Sequence, residues 1–398
     1  MKVLHIITGL GVGGAEQQLR LLLRRLPVHC DVVTLTNPGP VADGLRADGV
    51  SVTHLGMGGN RDLAALPRLA RLIRRGRYDL VHTHLYRACV YGRTAARLAG
   101  VPAVATEHSL GERSIEGRPL TRSTRALYLR TERLGSATVA VSAPVAGRQG
   151  GWGVPARRIH VVPNGIDGSR YRHDPGVRAA TRALLGIPAG AFVVGGVGRL
   201  VPGKRFDLLV RAVAALPGVR LLLAGDGPER EALRGLAERL GATGRIHFLG
   251  ECDALPGGPH TGPHTGPHTG RHAGPTVPAV LDAADVFVST SAEESFGLAV
   301  VEALAAGLPV LYAACPALDD FSREPVPGAV RVPGGAAAFE AALRHQLDLG
   351  ARRLAPPAVA GHYDIARSAS GLLGVYTHTV GAAPAVPRVR PPFVTPVP

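Results

Sequence analysis

Two glutamates stand eight residues apart in Glu294-Ser-Phe-Gly-Leu-Ala-Val-Val-Glu302, and Glu302 is the sole charge between Phe296 and Leu318. A carboxylate in so apolar a run needs a partner, because an unpaired buried charge is costly. Ribose hydroxyls would serve, and so would a structural Arg. Read as a helix, eight residues rise about 12 Å, roughly the reach of a nucleoside diphosphate from ribose to sugar. The amides of Phe296, Gly297 and Leu298 fall where a helix N-terminus can bind phosphate oxygens. A second cluster is Gly198-Arg199-Leu-Val-Pro-Gly-Lys204. Arg199 offers a fork and Lys204 a point charge, a pair suited to a diphosphate. Lys2 and Lys204 are the only lysines in a chain that otherwise uses Arg, which singles out position 204 against a merely solvated basic turn.

A third candidate is the glycine run Gly9-Leu-Gly11-Val-Gly13-Gly14. Its glycines let backbone N–H groups approach an anion where a helix begins. The spacing fits GxGxxG, but a dinucleotide site also wants an acid ending the next strand. Here that strand ends Thr34-Leu-Thr36-Asn37. A phosphate or acceptor loop, or a turn that only lets helix and sheet pack, fits better.

These residues must be held by something, and the surrounding pattern says what. Strand-like runs at 3–8, 31–36, 80–84, 101–107 and 138–142 alternate with helical stretches at 15–26, 63–75 and 88–99. A Pro-Asn-Gly turn closes this half at 161–167, and the same grammar then restarts. Strands are expected at 192–197, 220–224, 246–249, 286–289 and 310–314, with helices at 206–216, 228–240 and 296–306. Such alternation predicts α/β architecture with parallel sheets. The expectation is two doubly wound Rossmann-like domains, 1–167 and 168–375, facing a central cleft. Ligands of such domains lie at the carboxyl ends of the strands. A last helix at 362–376 would cross back to the first domain.

Two segments stand outside this grammar. Residues 256–275 are low-complexity and hold three Gly-Pro-His-Thr copies at 258–269. His260, His264, His268 and His272 are spaced by four, but Pro and Gly in each copy deny them a helix, so no metal site is expected. Residues 376–398 are Pro-rich and expected to be disordered.

Composition narrows the function. Hydrophobic residues make up 45% and charged residues 19%, enough for sizeable cores and too few charges for a disordered chain. No uncharged apolar run reaches the roughly 18 residues of a membrane span. The opening residues do not read as a signal peptide, since His5 and Thr8 break the apolar run. Four scattered cysteines form no CxxC pair and fit a reducing cytoplasm. A net charge of +15 favours anionic partners. Nucleic acid is disfavoured, because few aromatics interleave with the Arg runs. Arg68, Arg71, Arg74, Arg75 and Arg77, then Arg122, Arg125, Arg130 and Arg133, suit either a solvated face or an anionic membrane surface.

The motifs together resemble the family 4 retaining glycosyltransferases of the two-Rossmann-domain (GT-B) fold, especially actinobacterial-type members. The matching stretches are GVGGAE at 11–16, TEHS at 106–109, VVPNGID at 161–167, GRLVPGK at 198–204, LLAGDGPE at 222–229 and EESFGLAVVEALAAGLPV at 293–310. The resemblance implies transfer of a hexosyl unit from a nucleotide diphosphate sugar, without a bound metal or other cofactor. It implies that Arg199 and Lys204 neutralise the donor diphosphate, that Glu294 meets sugar hydroxyls and that Glu302 meets the ribose. Gly13 and Gly14 would close over phosphate or acceptor, and His108 would line the cleft near the transferred sugar. Acceptors in the family are often lipid-linked, which suggests a cytoplasmic protein resting peripherally on the inner face of the membrane. A nucleotide-sugar epimerase and a non-catalytic sugar-nucleotide binder are the alternative readings. The sequence departs from the family pattern in its His-Pro-Gly repeat and at Ala313 to Ala317, where Ala-Ala-Cys-Pro-Ala replaces a glycine-rich turn.

Overall fold

Continuous apolar runs rich in Val, Ile, Leu and Ala are what a strand buried on both faces requires. In the computed structural model these runs form two parallel sheets; residues 1–108, 110, 111, 114, 115, 118–252 and 275–382 are described. The first sheet uses β1 (Lys2–Gly9), β2 (His29–Asn37), β3 (Ser51–His54), β4 (Leu80–His84) and β5 (Ala103–Glu107). A small antiparallel pair follows, β6 (Ser114–Ile115) with β7 (Arg118–Pro119), and then β8 (Ala137–Ala140) and β9 (Ile159–Val161) rejoin the sheet. Its order is β3-β2-β1-β4-β5-β8-β9. The second sheet uses β10 (Phe192–Val197), β11 (Val219–Ala224), β12 (Ile246–Gly250), β13 (Val286–Ser289), β14 (Val310–Tyr312) and β15 (Ala329–Arg331), in the order β12-β11-β10-β13-β14-β15.

Both orders reverse once, between β1 and β4 and between β10 and β13. Loops leaving neighbouring strand ends in opposite directions open a crevice there. The four loops at those points carry the glycine run, Leu85, the Arg199–Lys204 turn and the Glu294 turn. Two of the three left-handed non-glycine residues among the described residues stand at the same places. Leu85 follows β4 with φ 72°, and Arg205 follows Lys204 with φ 51°. Such angles cost non-glycine residues energy that the surroundings must support.

The chain crosses between the halves twice, side by side. Ile166 N–H donates to the Tyr363 carbonyl (2.8 Å), and Ile365 N–H donates to the Ile166 carbonyl (2.9 Å). The final helix, Ile365–Ala382, then packs on the first sheet, where Ile365, Leu372 and Tyr376 join Val3, Leu80 and Val104 in one core. It starts later than the expected 362–376 and runs further. Residues 376–382, expected within a disordered tail, are helical because Tyr376 and Thr379 continue the buried face. The Gly-Pro-His-Thr copies and residues 383–398 lie outside the described residues. Among the described residues no helix is long and apolar enough to cross a membrane.

Candidate functional site

The second sheet supplies the charged wall. The turn after β10 carries Arg199 and Lys204, and the Lys204 carbonyl accepts from Thr290 Oγ1 (2.8 Å) at the end of β13. That bond ties the two loops of the crevice together through the backbone. Lys204 Nζ then donates to Glu294 Oε1 at 2.5 Å, with both side chains partly exposed. Arg199 is exposed on the same turn, and its side chain makes no ion pair among the described residues.

Glu294 lies ahead of the helix, which starts two residues later than the expected 296–306. The helix spans Leu298–Ala305, and its N-cap Gly297 takes φ 100°. A left-handed residue stops the helix from extending backwards, and this one has no room for a side chain: a Cβ there would stand 2.5 Å from Cys315 Sγ. Glu294 is therefore in the preceding turn, so a continuous helical rise does not set its distance to Glu302. Phe296 is buried edge-on against Tyr363, with ring centroids 4.9 Å apart, and can offer a ligand only its backbone. Leu298 opens the helix, whose first amides lack helical acceptors. Glu302 points back toward Tyr171 and Arg170. Burial raises its pKa above the usual carboxylate value, while the Tyr171 hydroxyl and the Arg170 charge pull it down. The partner that an acid in this apolar helix requires is thus a tyrosine hydroxyl supported by an arginine.

The first sheet supplies the opposite wall. Gly13 is the extended N-cap of the helix Gly14–Leu23, and Glu16 folds its carboxylate back over it. A Cβ at Gly14 would touch Leu298 Cδ1 at 3.5 Å, so the glycine run directly faces the start of the second wall's helix. Ser142 Oγ donates to the Ser295 carbonyl (2.6 Å), and Ala143 N–H donates to Asp320 Oδ2 (2.8 Å). Arg148 lies 3.7 Å from Glu293. The Glu293–Leu298 turn is accordingly clasped by both halves. His108 follows β5 at the same end of its sheet and is nearly buried. Its Nε2 pairs with His84 Nδ1 (3.1 Å), and its Nδ1 has no partner among the described residues. Burial pushes its pKa down to about 4, so the ring is neutral at pH 7.

The structure thus brings Gly13, Gly14, Lys204, Glu294, Gly297 and Leu298 to one crevice, with Glu302 deeper in the helix. Two family models match this chain: Glycosyltransferase Family 4 over residues 12–170, and Glycosyl transferases group 1 over 177–256 and 268–355. The chain belongs to the family 4 glycosyltransferases. It is 31% identical over 275 residues to the D-inositol 3-phosphate glycosyltransferase of Mycobacterium tuberculosis, covering 64% of this chain and 50% of that protein. The chain therefore spans about half the length of the curated relatives it matches. Among solved structures, Anabaena HepE in complex with UDP-glucose matches with TM-score 0.79 and 23% identity, over 95% of this chain and all of that one. The sucrose-phosphate synthase of Thermosynechococcus elongatus matches with TM-score 0.72 and 21% identity, over 96% of this chain. These likenesses show the GT-B fold of this family 4 member.

Sequence reasoning missed several residues of the site. Tyr171 and Arg170 sit in a short 3-10 turn (Gly168–Tyr171) just past the crossing, with no periodic pattern to announce them. Ser142 and Asp320 meet the opposite half only through tertiary packing. His5, His82 and His84 read as strand residues, though a His-Thr-His alternation in an apolar strand was a signal that one face there is polar.

Proposed function

We propose that this family 4 member transfers a hexosyl unit from a nucleoside diphosphate sugar to an acceptor, with retention at the anomeric carbon. The observation that carries the reading is the Lys204–Glu294 pair at the second sheet's crevice, on the turn that leads to Leu298, which Gly14 meets from the other half. Lys204, aided by Arg199 and the amides at Gly297 and Leu298, meets the diphosphate and stabilises the charge that grows on it as it leaves. A donor gives Lys204 a diphosphate in place of Glu294 and releases that carboxylate to sugar hydroxyls. Glu302 accepts from the ribose, and His108 stands on the sugar's other side. The bond from the anomeric carbon to the phosphate oxygen breaks, and the acceptor oxygen bonds to the same face. The acceptor's proton passes to the departing phosphate oxygen. No protein nucleophile and no metal enter these steps. The UDP-glucose bound to the HepE neighbour supports a donor of this class. Incubation with nucleoside diphosphate sugars should release nucleoside diphosphate only when an acceptor extract is present. Epimerised donor without acceptor would instead favour an epimerase, and binding without turnover a non-catalytic binder.

The acceptor side faces a cationic surface. Arg68, Arg71, Arg74, Arg75 and Arg77 are exposed on or just after the helix Ala65–Gly76, which packs beside Tyr86–Ala99, which in turn packs beside Arg122–Glu132. Exposed Leu63, Leu98, Leu127 and Leu134 lie on or beside the same helices. This surface fits an anionic cytoplasmic leaflet carrying a lipid-linked acceptor, at about 1 kcal/mol per Arg near the surface. The protein should co-sediment with anionic but not neutral vesicles, and less so as salt rises. Charge reversal at Arg71, Arg74 and Arg75 should release it without changing donor binding. A protein left in the supernatant at low salt would point to a soluble acceptor.

A further inference from the structure

Side chains alternate across a strand, so one face of the first sheet collects every second residue. Register pairs His5 of β1 with His82 of β4, and His84 with Thr106 of β5, placing these residues on the face covered by Ile365–Ala382. All three histidines are fully buried. Three rings stand in single file. His5 Nδ1 is 3.0 Å from His84 Nε2, and His84 Nδ1 is 3.1 Å from His108 Nε2. His82 stands beside the file, bonded to the Tyr376 hydroxyl (2.5 Å) and Thr106 Oγ1 (2.7 Å). The two ends, His5 Nε2 and His108 Nδ1, are buried without partners among the described residues.

Burial holds His5 down to about 3 and His84 well below its ordinary value, so the file is neutral at pH 7. A neutral imidazole has one N–H and one lone pair. His84 must therefore donate to one neighbour and accept from the other. Only two arrangements satisfy both bonds: all three protons on Nδ1, or all three on Nε2. We infer that His84 and His5 are positioning residues for His108, a relay that fixes its ring plane, ties its tautomer to theirs and leaves Nδ1 as its one unengaged nitrogen. The inference rests on the reading of His108 as a residue beside the transferred sugar. His108 and Gln18 line a cavity of about 10 Å³ together with Asn164 and Ser368. Gln18 Nε2 also lacks a partner among the described residues, and the space suits about one water or hydroxyl oxygen.

A metal is the competing use of these rings, since His5, His82 and His84 offer nitrogens within 4.8 Å of one another. No carboxylate is among the charges acting on His82 or His84, so a divalent ion would sit there uncompensated. It would also displace hydrogen bonds that already engage both nitrogens of His82 and His84.

Histidine-selective nitrogen-15 NMR of the full chain near pH 7 tests the relay. His5, His84 and His108 should be neutral and share one tautomer. His84→Leu should mix the tautomers of His108 and lower kcat about tenfold while the donor KM changes little. His84→Asn, whose amide can reach His108 Nε2, should recover most of that loss. His82→Gln, outside the file, should leave the His108 tautomer unchanged. If His84→Leu does not fold, His5→Phe reads the same coupling one ring further away. Unlike tautomers in neighbouring rings, an imidazolium in the file, or stoichiometric metal in the purified protein would overturn the relay. A shared tautomer with kcat unmoved in His84→Leu would overturn the positioning role alone. An absence of sugar transfer by the unaltered protein would count against the proposed reaction and leave the NMR result standing.

Discussion

Lys204→Ala should lower kcat by about 100-fold or more while the protein melts at nearly the same temperature. Removing one preorganised group that meets developing charge typically costs about 10²–10³ in rate. On the proposed reading the loss is compounded, because the Glu294 carboxylate is left without its lysine beside the donor. That unneutralised charge repels the donor as well as failing to help it leave. Stability should change little. The Lys204–Glu294 pair is partly exposed, and such pairs contribute roughly 0–1 kcal/mol. The bond that joins the two loops uses the Lys204 carbonyl, which alanine retains. Adding Glu294→Gln to Lys204→Ala should recover part of the nucleotide affinity but not turnover. Unchanged kcat in Lys204→Ala would remove Lys204 from the reaction.

The second large effect separates the glutamates. Glu302→Gln should weaken free nucleotide binding by roughly 10–100-fold, because hydrogen bonds to a charged group contribute about 1.5–3 kcal/mol. The same variant should be as stable as the parent or more so. Burial raises the folded-state pKa of Glu302, so the folded protein holds this proton more tightly than the unfolded chain does. Its contribution to stability is therefore complete below the unfolded value and declines as pH rises through the raised folded value. Glutamine removes that dependence while keeping an oxygen for the Tyr171 hydroxyl. Glu294→Gln should behave oppositely, with nucleotide affinity intact and transfer impaired. Calorimetric titration of the nucleoside diphosphate, beside melting curves across pH, distinguishes the two. Equal binding losses in both variants would show that the division of roles is wrong.

The strands at 80–84, 192–197 and 286–289 appear at their expected bounds because short runs led by Val, Leu and Phe are closed by turn residues on either side. The turn holding Lys204 was legible for a related reason: Gly, Pro and Gly at the end of such a run can only be a loop at a strand's carboxyl end. The helix around Glu302 was legible in type but not in start. Its boundary depends on the left-handed Gly297, whose angle is imposed by Cys315 packing against it. The helix Ala143–Trp152 escaped notice because three glycines and a proline give it no apolar stripe, and it is fixed by its Ser142 cap and contacts with the other half. Ala336–Leu349 buries only Phe339, Leu343 and Gln346, too thin a stripe to stand out. The Tyr171 contact and the histidine file are products of strand register and chain crossing, which no local pattern encodes.

Retaining transfer from a nucleoside diphosphate sugar is read in the anomeric configuration of the product. The protein is given UDP-glucose and a panel of related α-linked donors with an acceptor extract, and the purified product is examined by proton NMR. An α-linked product, formed with one nucleoside diphosphate per linkage and lost in Lys204→Ala, is the predicted result. A β-linked product would show inversion and rule out the retaining reaction.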